Sequence, residues 1–288
     1  MIGGRPPCAG KYTFEGLDRR TSRPAASSVV YSFAMAQSMP VLVAPAGFGG
    51  ALRAPVVAAA IARGLERAGC PPPDLCPVAA GGRGTIEVLL PALGGATADG
   101  FALVEDGGTA IVELDERAPE AAGEQLAAAA AAGPAVVMLA AAGAARERPC
   151  AALLRALDDH GGLRGAALVV LCDVLAPGAL ALRLRDERGG RLVAGIPFVL
   201  ETLGFDARMR AAKAVVAGEP RLDRSTLRGH VVGDIATRAR QSGVPCHAVT
   251  SHAAIDRFDA RILDLQAIVE ATTVEELEAA GEALAGYV

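Results

Sequence analysis

Four stretches of the sequence gather residue types that could bind or transform a charged small molecule: "APAGFGG" at 44–50, "PVAAGGRGT" at 77–85, "LCDVLAPG" at 171–178 and "AGEPRLDRSTLRGH" at 217–230. The first, with Gly47, Gly49 and Gly50, is either a loop whose backbone N–H groups hold a phosphate or a tight turn that glycine makes easy. Taken alone each stretch is a weak signal. Glycine after a strand is more often a plain turn, and the first stretch matches neither GxGxxG nor GxxxxGK[ST]. Carboxylates stand at Asp173, Glu219 and Asp223. Glu219 and Asp223, four apart just beyond a strand, could hold a divalent cation or accept a proton, or form an exposed loop pair. Asp173 follows a buried strand and reads either as a ligand or as a helix N-cap. Arg83, in a glycine loop before a helix, could grip an anion together with helix N–H groups; a solvated loop arginine is the plainer reading.

The elements that must position these residues alternate from residue 40 onward. "VLVAP" (41–45) reads as a buried strand, and "LRAPVVAAAIARGLERAG" (52–69) puts Val56, Val57, Ala60, Ile61 and Leu65 on one helical stripe, with Pro55 in the first turn. A helix "IEVLLPAL" ends at Gly94 and Gly95, and "GFALVED" and "TAIVELD" flank Gly107 and Gly108 as a hairpin. An alanine helix, "AVVML", a helix around "CAALLRAL" and the strand "AALVVLCDV" follow. The last third runs helix "IPFVLETLG", strand "KAVVAGEP", helix "HVVGDIATRARQSG", strand "VPCHAVTS" and a closing helix capped by Thr273 with Glu276 three residues on. "ARERP" and "RLRDERGGR" read as solvated turns. Strands separated by helices predict parallel α/β sheets, whose ligands sit at the carboxyl ends of the strands.

Bulk properties narrow the partners. The 288 residues carry 28 basic and 32 acidic side chains, a net charge of −4, so there is no large basic surface for nucleic acid. Lysine occurs only at Lys11 and Lys213, which leaves phosphate neutralisation to arginine. The six scattered cysteines read as buried thiols of a reducing, cytoplasmic compartment rather than a zinc site. Gly133 and Pro134 split the longest apolar run, so no membrane span is expected. Residues 1–38 have no regular period and read as a disordered or mis-assigned extension, with Met39 as the expected true start.

In order and flanks the four stretches resemble the glycerate kinase family, ATP-dependent kinases that phosphorylate a hydroxyl of glycerate. "VLVAPAGFGGALRAPVVAAAIARGL" is similar to the family's strand, APDSFK loop and helix. "CPVAAGGRGTIEVLLPALGG" is similar to its PVADGGEGT and the helix ending TGG. "FALVEDGGTAIVEL", "LCDVLAPG" and the stretch from "PFVLETLGF" to "VPCHAVT" resemble its DGxTAVIEM, CDVxNPLLG and TGEGRID-to-HGK segments. The resemblance spans most of residues 39–288 and implies ATP and Mg²⁺ as cofactors, glycerate as substrate, a homodimer as an allowed assembly, and a surviving polar set of Glu113, Asp173, Glu219, Arg221, Asp223 and His230. In that set Asp173, Glu219 and Asp223 would be catalytic, with Asp173 and Glu219 on the metal. Glu113, Arg221 and His230 would join Arg83 and the glycines Gly47, Gly49, Gly50, Gly81, Gly82 and Gly218 on substrate and phosphates.

The departures are as informative. The family's aspartate, serine and lysine of the first loop are Ala46, Gly47 and Gly49 here, and its aspartate and glutamate of the second are Ala80 and Arg83. The asparagine of CDVxN is Ala176, HGK reads Arg228, Gly229 and His230, and the GGSATNDGGAG segment is missing. The expected outcome is a shortened kinase with weak or lost activity; the alternative is a non-catalytic binding or regulatory protein on the same scaffold. The expected fold is α/β, two domains around a cleft: a discontinuous Rossmann-like parallel-sheet domain from 39–76 and 195–288, and a reduced α/β domain inserted at 77–194.

Overall fold

A computed structural model describes residues 39–142 and 148–288. The expectations for residues 1–38, and for the part of "ARERP" within 143–147, lie outside the described residues. In chain order the strands are β1 (Val41–Pro45), β2 (Asp74–Leu75), β3 (Gly95–Ala98), β4 (Phe101–Val104), β5 (Thr109–Glu113), β6 (Val136–Ala140), β7 (Ala167–Cys172), β8 (Arg191–Ala194), β9 (Ala214–Leu222), β10 (Cys246–Ala253) and β11 (Leu265–Glu270). The helices are α1 (Ala54–Arg67), α2 (Thr85–Leu93), α3 (Pro119–Ala131), α4 (Arg148–Asp159), α5 (Ala179–Arg188), α6 (Gly195–Thr202), α7 (Phe205–Arg210), α8 (Val231–Ser242), α9 (Arg257–Ile262) and α10 (Val274–Leu284).

The strands form two sheets. Sheet I has the order β11-β10-β9-β1-β2 with every neighbour parallel. Sheet II has the order β3-β4-β5-β6-β7-β8, an antiparallel meander over β3, β4 and β5 that continues parallel to β8. β1 is buried along its whole length because helices cover both faces of sheet I, which is why its sequence is an unbroken apolar run. Parallel pairing sets the carboxyl ends of β1 and β9 side by side, and likewise those of β5 to β8.

The chain passes from sheet I to sheet II after β2 and returns where β8 runs into α6. The two crossings touch. A Cβ on Gly81, whose φ is +88°, would lie 2.6 Å from the Cα of Gly195, and one on Gly195 would lie 2.3 Å from the Ala80 carbonyl oxygen. Only glycine fits at that contact. On the outer face of sheet I, α1 and α10 approach so closely that a Cβ on Gly64 would fall 1.9 Å from the Glu278 carbonyl oxygen and one on Gly281 would fall 2.2 Å from that of Ile61. Arg63 and Arg67 then reach across the seam to Glu278 and Glu282.

Several sequence expectations are corrected. "GATA" is the edge strand β3 and not a helix tail; Gly94 alone ends α2. "RLRDER" is the second half of α5, with Leu180, Ala181 and Leu184 buried and the charges outward, and Gly189 closes it in the left-handed conformation. The capping box of α10 is half formed. The Thr273 hydroxyl accepts from the Glu276 amide, but the Glu276 carboxylate turns one residue further back, to the Thr272 amide and hydroxyl, both at 2.7 Å. Among the described residues no helix is long and apolar enough to cross a membrane. Cys76 and Cys246 are buried thiols, pushed up by desolvation to about 11 and about 12.

One core group is out of place chemically. His247 on β10 is 1% exposed, and neither ring nitrogen has a hydrogen-bond partner; its neighbour is the ring of Tyr287, at 6.2 Å. Burial lowers its pKa from the ordinary 6.5. As pH falls below 6.5 the unfolded chain takes up a proton that the folded chain refuses, so this group removes stability toward acid. His247→Leu is therefore expected to raise stability by about 1 kcal/mol or more at neutral pH. It should also flatten the acid limb, which urea melts at about pH 7.5 and about pH 5.5 will read.

Candidate functional site

The carboxyl ends of β1 and β9 face those of β5, β7 and β8 across a cleft of about 1590 Å³. Gly47, Gly49 and Gly50 line it from the loop after β1. Arg83 lines it from the loop before α2, Glu113 from the end of β5 and Asp173 from the end of β7. Glu219, Arg221 and His230 line it from β9 and the start of α8. Gly81, Gly82, Gly218 and Asp223 do not line it. The first three are packing residues: Gly81 meets Gly195, a Cβ on Gly82 would meet the Ala142 carbonyl at 2.5 Å, and one on Gly218 would meet Pro45 at 3.0 Å.

β9 runs on to Leu222, so Gly218 and Glu219 are strand residues rather than loop residues. An extended chain rises ~3.3 Å per residue. A spacing of four therefore keeps both residues on one side of the extended chain but ~13 Å apart along the backbone, too far to act as an adjacent pair. Thr226 stands between them, its hydroxyl donating to Glu219 Oε1 at 2.5 Å and accepting from the Asp223 amide at 3.3 Å. Asp223 caps the 3₁₀ turn Arg224–Arg228, accepting from the Ser225 hydroxyl at 2.6 Å and amide at 2.8 Å while Arg221 Nε donates to its other oxygen at 2.6 Å. The Ser225 hydroxyl, Arg221 and the Ser225 amide hold it well below the usual carboxylate range.

Two of the cleft glutamates, Glu113 and Glu219, do the same kind of work on the two sheets. Glu113, at the end of β5, accepts from the Ile86 amide at 2.7 Å; Glu219, near the end of β9, accepts from the Val232 amide at 3.2 Å. Ile86 and Val232 are each the second residue of their helix, α2 and α8. Each carboxylate thus occupies the positive end of a helix dipole, a placement that contributes about 0.3–1 kcal/mol. Arg83 thus stands beside a helix terminus at which Glu113 already takes the Ile86 amide. Glu219 is 4% exposed, and burial pushes its carboxyl above the ordinary range, against the pull of the Thr226 hydroxyl, the Val232 amide and nearby His230.

Asp173 is exposed. It is not an N-cap, since α5 starts at Ala179 behind Gly178; its Oδ1 accepts from the Leu175 amide at 3.0 Å in a local turn. His230 is the N-cap residue of α8 but makes no side-chain cap bond, so its ring is left to the cleft.

These donors fit the implied cofactors unequally. The Gly47, Gly49 and Gly50 amides have no acceptor among the described residues, and Gly49 and Gly50 have φ of +91° and +55°, so this loop fits a phosphate. A protein-held Mg²⁺ fits poorly. Among the described residues no three His, Cys, Asp or Glu side chains cluster, and Glu219 is buried with both oxygens engaged, leaving Glu113 and Asp173 one oxygen each to offer. The sequence reading passed over Arg117, beyond β5, and gave no role to Arg228, although its place in "RGH" was a signal. Both line the cleft.

The glycerate kinase family model matches residues 41–113 and 175–285, and the chain belongs to that family. No curated protein matches the sequence. Among solved structures, the crystal structure of a candidate glycerate kinase 2 from Salmonella typhimurium LT2 is similar, with a TM-score of 0.61 over 86% of this chain and 98% of that one at 17% identity. The fold is thus similar to that of the Salmonella protein.

Proposed function

We propose that the cleft binds ATP and a small hydroxy acid of the glycerate type, and that transfer of the phosphoryl group to the acid's hydroxyl is slow. Family membership supports the ligands. The observation that carries the slow rate is the commitment of Glu113 and Glu219 to helix caps, which takes two carboxylates away from reacting atoms. Bound ATP would supply the γ-phosphoryl group. The chain itself offers the free amides of the first loop to phosphate, the arginines of the cleft to carboxylate or phosphate, and the His230 ring and Asp173 as acceptors toward a hydroxyl.

Two domains suit this work, 39–76 with 195–288 and 77–194, because each sheet draws its strands from one of these sets and the crossings meet at Gly81 and Gly195. A cytoplasmic enzyme with no nucleic-acid or membrane partner and an allowed homodimer completes the reading. A second reading, a binding or regulatory protein without turnover, is favoured by the same engaged glutamates.

Thermal melts test the binding. ATP at about 100 times its dissociation constant is expected to stabilise the protein by about 2.7 kcal/mol, with D-glycerate adding to this, seen as a rise in Tm. An unchanged Tm with both ligands would overturn the proposal.

A further inference from the structure

The balance of charges in the cleft is unusual for a site that relies on a metal. Five carboxylates line it, and each already has a partner: Glu87 has Arg53 at 2.6 Å, Asp234 has Arg238 at 2.6 Å, Glu113 has the Ile86 amide, Glu219 has Thr226 and Val232, and Asp173 has the Leu175 amide. The arginines divide differently. Arg53 and Arg221 are paired, whereas Arg83, Arg117 and Arg228 have no carboxylate partner among the described residues. Arg83 and Arg117 stand on the sheet II side, before α2 and after β5; Arg228 stands on the sheet I side, before α8. Among the described residues three guanidinium groups without a carboxylate partner frame one cavity, and no acidic cluster there would hold a cation beside them.

We infer that the cleft holds a polyphosphate chain directly on Arg83, Arg117 and Arg228, bridging the two walls without a protein-bound divalent cation. Guanidinium forks meet phosphate oxygens in bidentate fashion and do so without the dehydration that Mg²⁺ resists. The first-loop amides of Gly47, Gly49 and Gly50 add donors on the sheet I wall. The inference rests on the ligand-cleft reading above but is separable from turnover. A metal carried by the phosphates would compete with the arginines for the same oxygens, so Mg²⁺ weakens binding here instead of enabling it.

Calorimetric titration of the full chain with inorganic tripolyphosphate, in EDTA and then in excess Mg²⁺, tests this. Binding is expected in EDTA and should weaken severalfold when Mg²⁺ is added. Orthophosphate, with fewer oxygens to share among three arginines, should bind at least about tenfold more weakly. Arg83→Ala, Arg117→Ala and Arg228→Ala should each weaken tripolyphosphate about tenfold, with Arg228→Lys retaining part of the affinity. All three side chains are exposed, so their variants should melt as the parent does. No binding in EDTA, a requirement for Mg²⁺, orthophosphate binding as tightly as tripolyphosphate, or indifference to the three alanines would each overturn the inference. ATP and D-glycerate turnover, scored separately, speaks to the proposed function and not to this result.

Discussion

Gly281→Val is expected to cost about 3 kcal/mol or more, enough to remove a large share of the 5–15 kcal/mol typical of a domain. The argument is geometric. A Cβ at this position would sit 2.2 Å from the Ile61 carbonyl oxygen, 3.0 Å from the Gly64 Cα and 3.0 Å from the Leu65 amide nitrogen. All three are backbone, so no side chain can rotate away and α10 must leave α1. Helix propensity pulls the other way, since glycine inside a helix gives up about 1 kcal/mol relative to alanine. Gly281→Ala separates the two effects: with an overlap this deep the steric cost wins and the variant melts at lower urea than the parent. A Gly281→Ala protein more stable than the parent would show that α1 and α10 do not meet this closely. Arg63, Arg67, Glu278 and Glu282 would not rescue the seam, because exposed ion pairs contribute about 0–1 kcal/mol.

Larger still is the effect expected on catalysis. Phosphoryl transfer needs charge on the phosphates, carboxylates for the metal and an acceptor for the hydroxyl proton, placed together. Removing one well-placed electrostatic group commonly costs about 10²–10³ in rate. In this cleft Glu113 and Glu219 neutralise helix ends, Asp223 caps a 3₁₀ turn outside the cavity, and Asp173 stands exposed with one oxygen in a local turn. Turnover is therefore expected at least ~10³-fold below the roughly 1–100 s⁻¹ of ordinary kinases.

Much of the architecture was legible in the sequence because the central strands are continuous apolar runs. β1, β6, β7 and β10 fell where their runs lie, and helix stripes such as that of α1 matched the buried residues Val57, Ala60, Ile61 and Leu65. The elements that escaped are those whose stability comes from their neighbours. β3 is four exposed small residues held by β4, and β11 is a partly exposed edge with no unbroken core run. Three of the four stretches begin their loops at strand ends, so the position of the cleft was readable. What each carboxylate does was not. Glu113 meets an amide 27 residues upstream and Glu219 one 13 residues downstream, contacts that exist only once a helix start has docked beside a strand end. The spacing of Glu219 and Asp223 suggested a pair, and the extension of β9 to Leu222 undid it.

In the function proposed above, the cleft still binds its ligands while Glu113 and Glu219 hold helix starts. Steady-state turnover of the full chain with ATP, Mg²⁺ and D-glycerate, followed through ADP release, tests it most directly. The predicted result is a kcat at least ~10³-fold below the roughly 1–100 s⁻¹ of ordinary kinases, with the residual rate unchanged by Glu113→Gln. A kcat within that ordinary range that is abolished by Asp173→Asn or Glu219→Gln would contradict it.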